Sequence, residues 1–264
     1  MELNRDYESA AIYKWRKKRK KAFVLFICIV GICFLVTRMV RLEDKTTVKV
    51  HNMHTEQNEK AIRYVASNMI KEDPKIAITF DDGPSPAWTP QLLDGLKERN
   101  VKATFFLIGE NAKNNPELVK REAEEGHLIG NHTYHHVEIT RVPDETAQEE
   151  ILMTNEVITG ITGEEVSYMR PPFGVWQKNL ERKLDVMPVL WTIDPLDWTT
   201  DNEDEIINKV VTQAGENDII LLHDCYESSV NAALRIVDIL QKEGFGFVTV
   251  SYTHLRAHET DSYL

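Results

Sequence analysis

The chain has 264 residues, 42% of them hydrophobic and 28% charged, with three cysteines and a net charge of −11. Those proportions exclude a wholly disordered or fibrous chain, and the cysteine count excludes a disulfide framework. The charge is unevenly spread: the first 41 residues carry ten Lys/Arg and three Asp/Glu, the remainder 21 and 39, so the bulk of the chain would repel nucleic-acid phosphates.

Residues 1–21 are a basic segment that ends in the dense cationic block Lys14–Lys21, with Trp15 suited to a headgroup region. Residues 22–40 follow as an expected transmembrane anchor, uncharged until Arg38. As a helix they would span about 28 Å, close to the hydrocarbon core of a bilayer, with Arg38 snorkelling at the edge. The positive-inside rule keeps the N-terminus cytoplasmic and sends the rest outside, a single-pass protein of the cell membrane. A cleaved signal peptide is the rival reading, but no Ala-x-Ala-like site follows the apolar run. Cys28 and Cys33 read as apolar membrane residues, which leaves Cys225 without a partner. Residues 41–73 are polar and read as a stalk.

From residue 75 short β-rich runs alternate with helical stretches. Strands are expected at Lys75–Phe80, Ala103–Ile108, Leu128–Asn131, Val166–Met169, Pro188–Ile193, Asp218–Leu222 and Phe245–Val250. Helices are expected near 89–99, from Pro116 to about Glu125, from a cap at Asp144 to about Thr159, and near 176–184, 203–214 and 229–242. Such alternation means parallel pairing with right-handed crossovers. The expected fold is α/β, a distorted, incomplete (β/α) barrel of about seven parallel strands, with an open doubly wound sheet as the alternative. No glycine-rich phosphate loop follows any strand, so nucleotide binding has no support.

Polar groups gather where the strands end, the rim that carries active sites in barrels of this kind. The first strand ends in Asp81-Asp82-Gly83-Pro84, the third in His132-Thr133-Tyr134-His135-His136, the fourth in Arg170-Pro171-Pro172-Phe173-Gly174, the fifth in Asp194-Pro195-Leu196-Asp197-Trp198 and the sixth in His223-Asp224. Each alone is weak, since Asp-Asp-Gly-Pro is also an ordinary turn. His132 and His136 reach one point if their loop makes a helical turn, and with one carboxylate they form a metal site with an open position. His135 is the rival ligand. Asp81 and Asp82 alternate in direction along a strand, which leaves one of them free as a general base. His223 suits a general acid, or a histidine that merely closes an apolar run.

Taken together and in this order, the five segments resemble the motifs of the polysaccharide deacetylases, carbohydrate esterase family four, over residues 74–250. The resemblance implies a catalytic domain that removes acetyl groups from N-acetylated sugars with one divalent metal ion, zinc first and cobalt second. It implies Asp82, His132 and His136 as metal ligands, Asp81 as general base and Arg170 as the group that holds it. Phe173 would offer a backbone N–H to the oxyanion. Asp197 would orient His223, the general acid, and Trp198 and Leu221 would wall the acetyl pocket.

The expected substrate is N-acetylglucosamine in a cell-surface polysaccharide, peptidoglycan first, because a short anchored stalk keeps the domain near the membrane. Chitin oligomers, poly-N-acetylglucosamine and acetylxylan are alternatives, and an inactive carbohydrate-binding protein is the non-enzyme alternative. Residues 251–264 carry no apolar period. Ser251–Thr260 resembles translated sequencing adapter, so the segment reads as a non-native tail and His254 and His258 receive no role.

Overall fold

The structure, a computed structural model, describes residues 73–177, 180 and 184–252. The expected basic segment, anchor and nearly all of the stalk and tail lie outside these residues, as does much of the expected helix near 176–184. Among the described residues no helix is long and apolar enough to cross a membrane.

The elements in chain order are β1 (Lys75–Asp81), α1 (Thr89–Glu98), β2 (Thr104–Leu107), α2 (Gly109–Asn114), α3 (Pro116–Glu124), β3 (Leu128–Asn131), α4 (Asp144–Thr162), β4 (Tyr168–Met169), β5 (Met187–Pro188), α5 (Glu203–Val211), β6 (Ile219–His223), α6 (Glu227–Lys242) and β7 (Gly246–Val248). The strands form one parallel sheet in the order β5-β4-β3-β2-β1-β6. Ala77 pairs with both Ile219 and Val248, and Thr79 with both Leu221 and Thr104. A strand has only two edges, so β7 and β2 occupy one edge of β1 in succession. Beyond β5 the chain crosses to β6, where Ile193 bridges Ile220, and the sheet thus curls upon itself.

The period-two alternation of β1 sorts its side chains. Ile76, Ile78 and Phe80 join the large apolar layer with Leu92, Leu96, Ile236 and Leu240, where burial of each such side chain contributes about 1.5–3 kcal/mol. Ala77 turns the other way and packs with Phe106, Val189 and Ile219. Thr79 and Asp81 share that inner face by the same alternation, which puts a carboxylate at the carboxyl end of the central strand.

Four expectations need correction. Asp144 does not cap α4: Pro143 holds the cap position and Asp144 begins the helix, where its charge still favours the helix N-terminus. The fourth and fifth strands are only two residues each. The guanidinium of Arg170 takes the carbonyls of Val189 and Leu190, and Pro188 has no N–H to donate. The last strand stops at Val248, and the chain turns helical at Val250. The six-residue helix α2 was not foreseen; it presents only Gly109 and Ala112 to the interior, too few positions for a visible period.

Candidate functional site

The central register aligns Asp81 with His223 at the ends of β1 and β6. The pairing of Asn131 with Met169 brings His132 and Arg170 to the same rim one residue later. Arg170 is fully buried. Its Nη1 donates to Thr79 Oγ1 and to Asp81 Oδ1, each at 2.7 Å, and its guanidinium lies 4.3 Å from the Phe106 ring centre. Burial lowers the Arg170 pKa, and the charge and hydrogen bond of Asp81 oppose that.

Asp82 lies outside the strand with φ 71°. Strand alternation alone would send its carboxylate away from that of Asp81, but this left-handed turn brings it back. His132 Nε2 is 3.8 Å from Asp81 Oδ2 and 3.3 Å from Asp82 Oδ1. The two carboxylates therefore differ by partner rather than by direction: Arg170 holds Asp81, and two imidazoles face Asp82.

His136 Nε2 stands 3.4 Å from the same Asp82 oxygen. His132 Nδ1 is 2.7 Å from the Arg170 carbonyl. A carbonyl only accepts, so Nδ1 carries the proton and Nε2 turns its lone pair toward Asp82. The expected helical turn in this loop is absent. Thr133 (φ 60°) and His136 (φ 55°) are left-handed instead, and they fold the second histidine back onto the first, with ring centres 5.0 Å apart. His135, the rival ligand, turns away, its Nδ1 2.7 Å from Glu150 Oε1.

One ligand atom from each of Asp82, His132 and His136 lies within 4.8 Å of the others, and among the described residues this is the one such cluster of His, Cys, Asp or Glu. Asp82 Oδ1 is buried without a hydrogen bond of its own. Burial pushes the Asp82 carboxyl up, but His132 when protonated, with His223 and His136, outweighs it and holds the group below its ordinary value. Burial and the His132 charge lower His136, which favours the neutral imidazole that a ligand must be. Two imidazoles beside an orphaned carboxylate oxygen, three electron-rich donors in all, fit a divalent cation with an open position.

Across the rim, Asp197 Oδ2 accepts the His223 N–H and Asp197 Oδ1 the His223 Nδ1–H, each at 2.8 Å. Burial alone would lower the His223 pKa. The hydrogen bond and charge of Asp197, with Asp81 and Asp82, reverse this and lift it to about 9. His223 closes the apolar run of β6, and its imidazole is also oriented by Asp197, with a pKa that favours the protonated form near neutral pH.

These groups face a cavity of about 430 Å³ lined also by Phe173, Trp191, Leu196, Trp198, Leu221 and Tyr226. Leu221 is buried, whereas Trp198 is 56% and Phe173 62% exposed, so Leu221 forms floor and the two rings form rim. Phe173 has φ 62° and packs 5.0 Å from the His136 ring. Trp191 and Tyr226 were not foreseen; each lies three residues from a motif residue, Asp194 and His223, and apolar character next to the strand-end polar groups was the available signal. Cys225 stands outside the Asp82, His132 and His136 cluster, and burial first, then the charges of Asp82, Asp224 and Asp197, push its thiol up to about 12.

The loop that carries Asp82 is held from behind. Asp224 is fully buried and accepts from the Thr89 hydroxyl, which accepts the Ser85 N–H at 2.7 Å. Asn111 Nδ2 donates to the Asp82 carbonyl at 2.8 Å. A Cβ on Gly83 would strike the Asp224 carboxylate, so glycine is required by close approach.

A polysaccharide deacetylase family model matches residues 68–189. A peptidoglycan-N-acetylglucosamine deacetylase of Bacillus cereus is 39% identical over 196 residues, 71% of this chain and 92% of its own. The peptidoglycan-N-acetylglucosamine deacetylase PgdA of Listeria monocytogenes is 36% identical over 213 residues, 78% of this chain and 45% of its own. Among solved structures, the peptidoglycan deacetylase PdaC from Bacillus subtilis superposes with a TM-score of 0.69 at 36% identity, over 73% of this chain and 95% of that one; PdaC carries the name of an N-acetylmuramic acid deacetylase. The chain spans 66%, 45% and 38% of the first curated relatives it matches.

Proposed function

From the premise that this chain belongs to the polysaccharide deacetylase family, we propose that it hydrolyses the acetamide of N-acetylglucosamine residues in a cell-surface polysaccharide, peptidoglycan before others. The observation that carries this reading is the cluster of Asp82, His132 and His136, set between a carboxylate held by arginine and a protonated histidine held by aspartate.

Asp82, His132 and His136 would hold the cation, for which zinc suits the mixed nitrogen and oxygen donors best. When bound, such a cation supplies Lewis acidity to the water nucleophile and to the acetyl carbonyl. The remaining work belongs to the chain. Asp81, fixed by Arg170, takes the proton from the attacking water. The Phe173 backbone N–H donates to the oxyanion that develops on the carbonyl. His223 gives its Nε2 proton to the departing amine, since its Nδ1 is committed to Asp197. The floor at Leu221 and the rim at Trp198 accept the methyl and exclude longer acyl chains.

The substrate assignment follows the relatives named for peptidoglycan N-acetylglucosamine. The cationic block followed by the apolar run of residues 22–40 supports a membrane anchor with the domain outside, next to that polymer. The test measures acetate released by the full-length chain from peptidoglycan, chitin oligomers, poly-N-acetylglucosamine and acetylxylan, with added zinc and with chelator. Zinc-dependent release, fastest from peptidoglycan and accompanied by free glucosamine amines, is expected. Release that chelator leaves unchanged, or release of muramic rather than glucosamine acetyl groups, would contradict the reading.

A further inference from the structure

The Glu150 carboxylate lies on the buried face of α4, outside every strand-end motif. Its Oε2 accepts two consecutive backbone amides, Tyr134 N–H at 3.0 Å and His135 N–H at 2.8 Å. Its Oε1 lies 2.7 Å from His135 Nδ1. One buried carboxylate thus gathers three donors from the two residues that immediately precede His136. The same helix holds the base of the loop, since Asn131 Nδ2 donates to the Ile151 carbonyl at 2.8 Å and to Asn155 Oδ1 at 2.7 Å.

That grip matters because the loop is unfavourable by itself. Two of its non-glycine residues, Thr133 and His136, have left-handed backbone, a conformation that persists only where surrounding bonds impose it. Within the loop, Asn131 Oδ1 accepts the Thr133 N–H at 2.7 Å and Thr133 Oγ1 accepts the Val137 N–H at 3.1 Å. Those two bonds fix the ends. In the middle, the Gly109 and Glu110 N–H groups at the start of α2 donate to the Thr133 and Tyr134 carbonyls at 2.9 and 3.0 Å, and Glu150 takes the Tyr134 and His135 amides; charge-assisted acceptance of paired amides is the strong form of such a bond.

We propose that Glu150 is a positioning residue for the cation site: it locks residues 134–135 so that His136 Nε2 meets Asp82 and His132. This rests on the reading that those three residues bind a cation. His135 is then a tether to Glu150, and its side chain contributes nothing to the cation.

The test is zinc affinity of the purified full-length chain, read by competition with a chromophoric chelator and without reference to turnover. Loss of an outer partner of this kind costs about 10- to 100-fold in metal affinity. Glu150→Ala is expected in that range and the isosteric Glu150→Gln near its lower end, both with the parent circular dichroism. Cobalt(II) bound to Glu150→Gln should show an altered visible spectrum, which a purely stabilising role would not cause. His135→Ala keeps both amide bonds and should stay within about threefold of the parent. Parent-like affinity and cobalt spectrum in the Glu150 variants would overturn the proposal alone, even if their melting temperature fell. A His135→Ala loss as large as that of Glu150→Ala would overturn it in favour of His135 as ligand. A parent chain that binds no zinc would overturn both this proposal and the cation reading.

Discussion

Replacing Asp197 with asparagine removes the charge that keeps His223 an acid while leaving an oxygen to accept its amide. In the parent, His223 rises from 6.5 to about 9 although burial works against it, because the hydrogen bond and charge of Asp197 win. The difference corresponds to about 3 kcal/mol in favour of the imidazolium. Without Asp197 the burial penalty, the largest single influence, is opposed only by the smaller charges of Asp81 and Asp82, so His223 in Asp197→Asn should titrate below 6.5. At pH 7.5 under a tenth of the variant would hold the proton that the parent holds almost fully, so kcat/KM for acetate release should fall tenfold or more. Its alkaline limb should move to lower pH. Stability offers an independent reading. A folded pKa raised above the unfolded one contributes fully below pH 6.5 and is lost as pH rises toward about 9. In chelator, the parent should therefore lose up to about 3 kcal/mol across that window beyond any loss in Asp197→Asn. An identical alkaline limb in both proteins would refute His223 as the acid tuned by Asp197.

Asp81→Asn should lower acetate release at least 100-fold through loss of the base. It should also cost about 3–5 kcal/mol in urea unfolding, because Arg170 keeps its buried charge without its paired carboxylate. Gly83→Ala should cost about 1–3 kcal/mol by overpacking against Asp224, with reduced zinc affinity, since the same turn carries Asp82; parent-like stability would remove the close-approach argument. Leu221→Ala, which deepens the floor of the cavity, should admit propionyl substrates that the parent rejects, measured as propionate released from N-propionylated chitin oligomers.

Much of this was legible in the chain itself, and for identifiable reasons. The strands β1, β2 and β6 are nearly continuous apolar runs buried on both faces, and such runs declare themselves in a parallel sheet. Strand-end position then brought Asp81, Asp82, His132, Arg170 and His223 to one rim. What stayed hidden depends on backbone conformation and on long-range partners. The left-handed turns at Asp82, Thr133 and His136 are not encoded by glycine, and they replace the helical turn and the strand alternation from which the site was first reasoned. The shortening of β4 and β5 follows from a guanidinium that claims strand carbonyls, which no local pattern announces. Glu150 was reachable: Ala147, Glu150, Ile151, Thr154 and Ile158 are the buried positions of α4, and a carboxylate on an apolar stripe needs donors from elsewhere.

The cation is the hinge of the account, and the zinc retained per chain after exhaustive dialysis weighs it most directly. The full-length protein should retain one zinc, and chains carrying Asp82→Ala, His132→Ala or His136→Ala should retain almost none while keeping the parent fold by circular dichroism. A parent without zinc, or single variants that hold as much zinc as the parent, would contradict it.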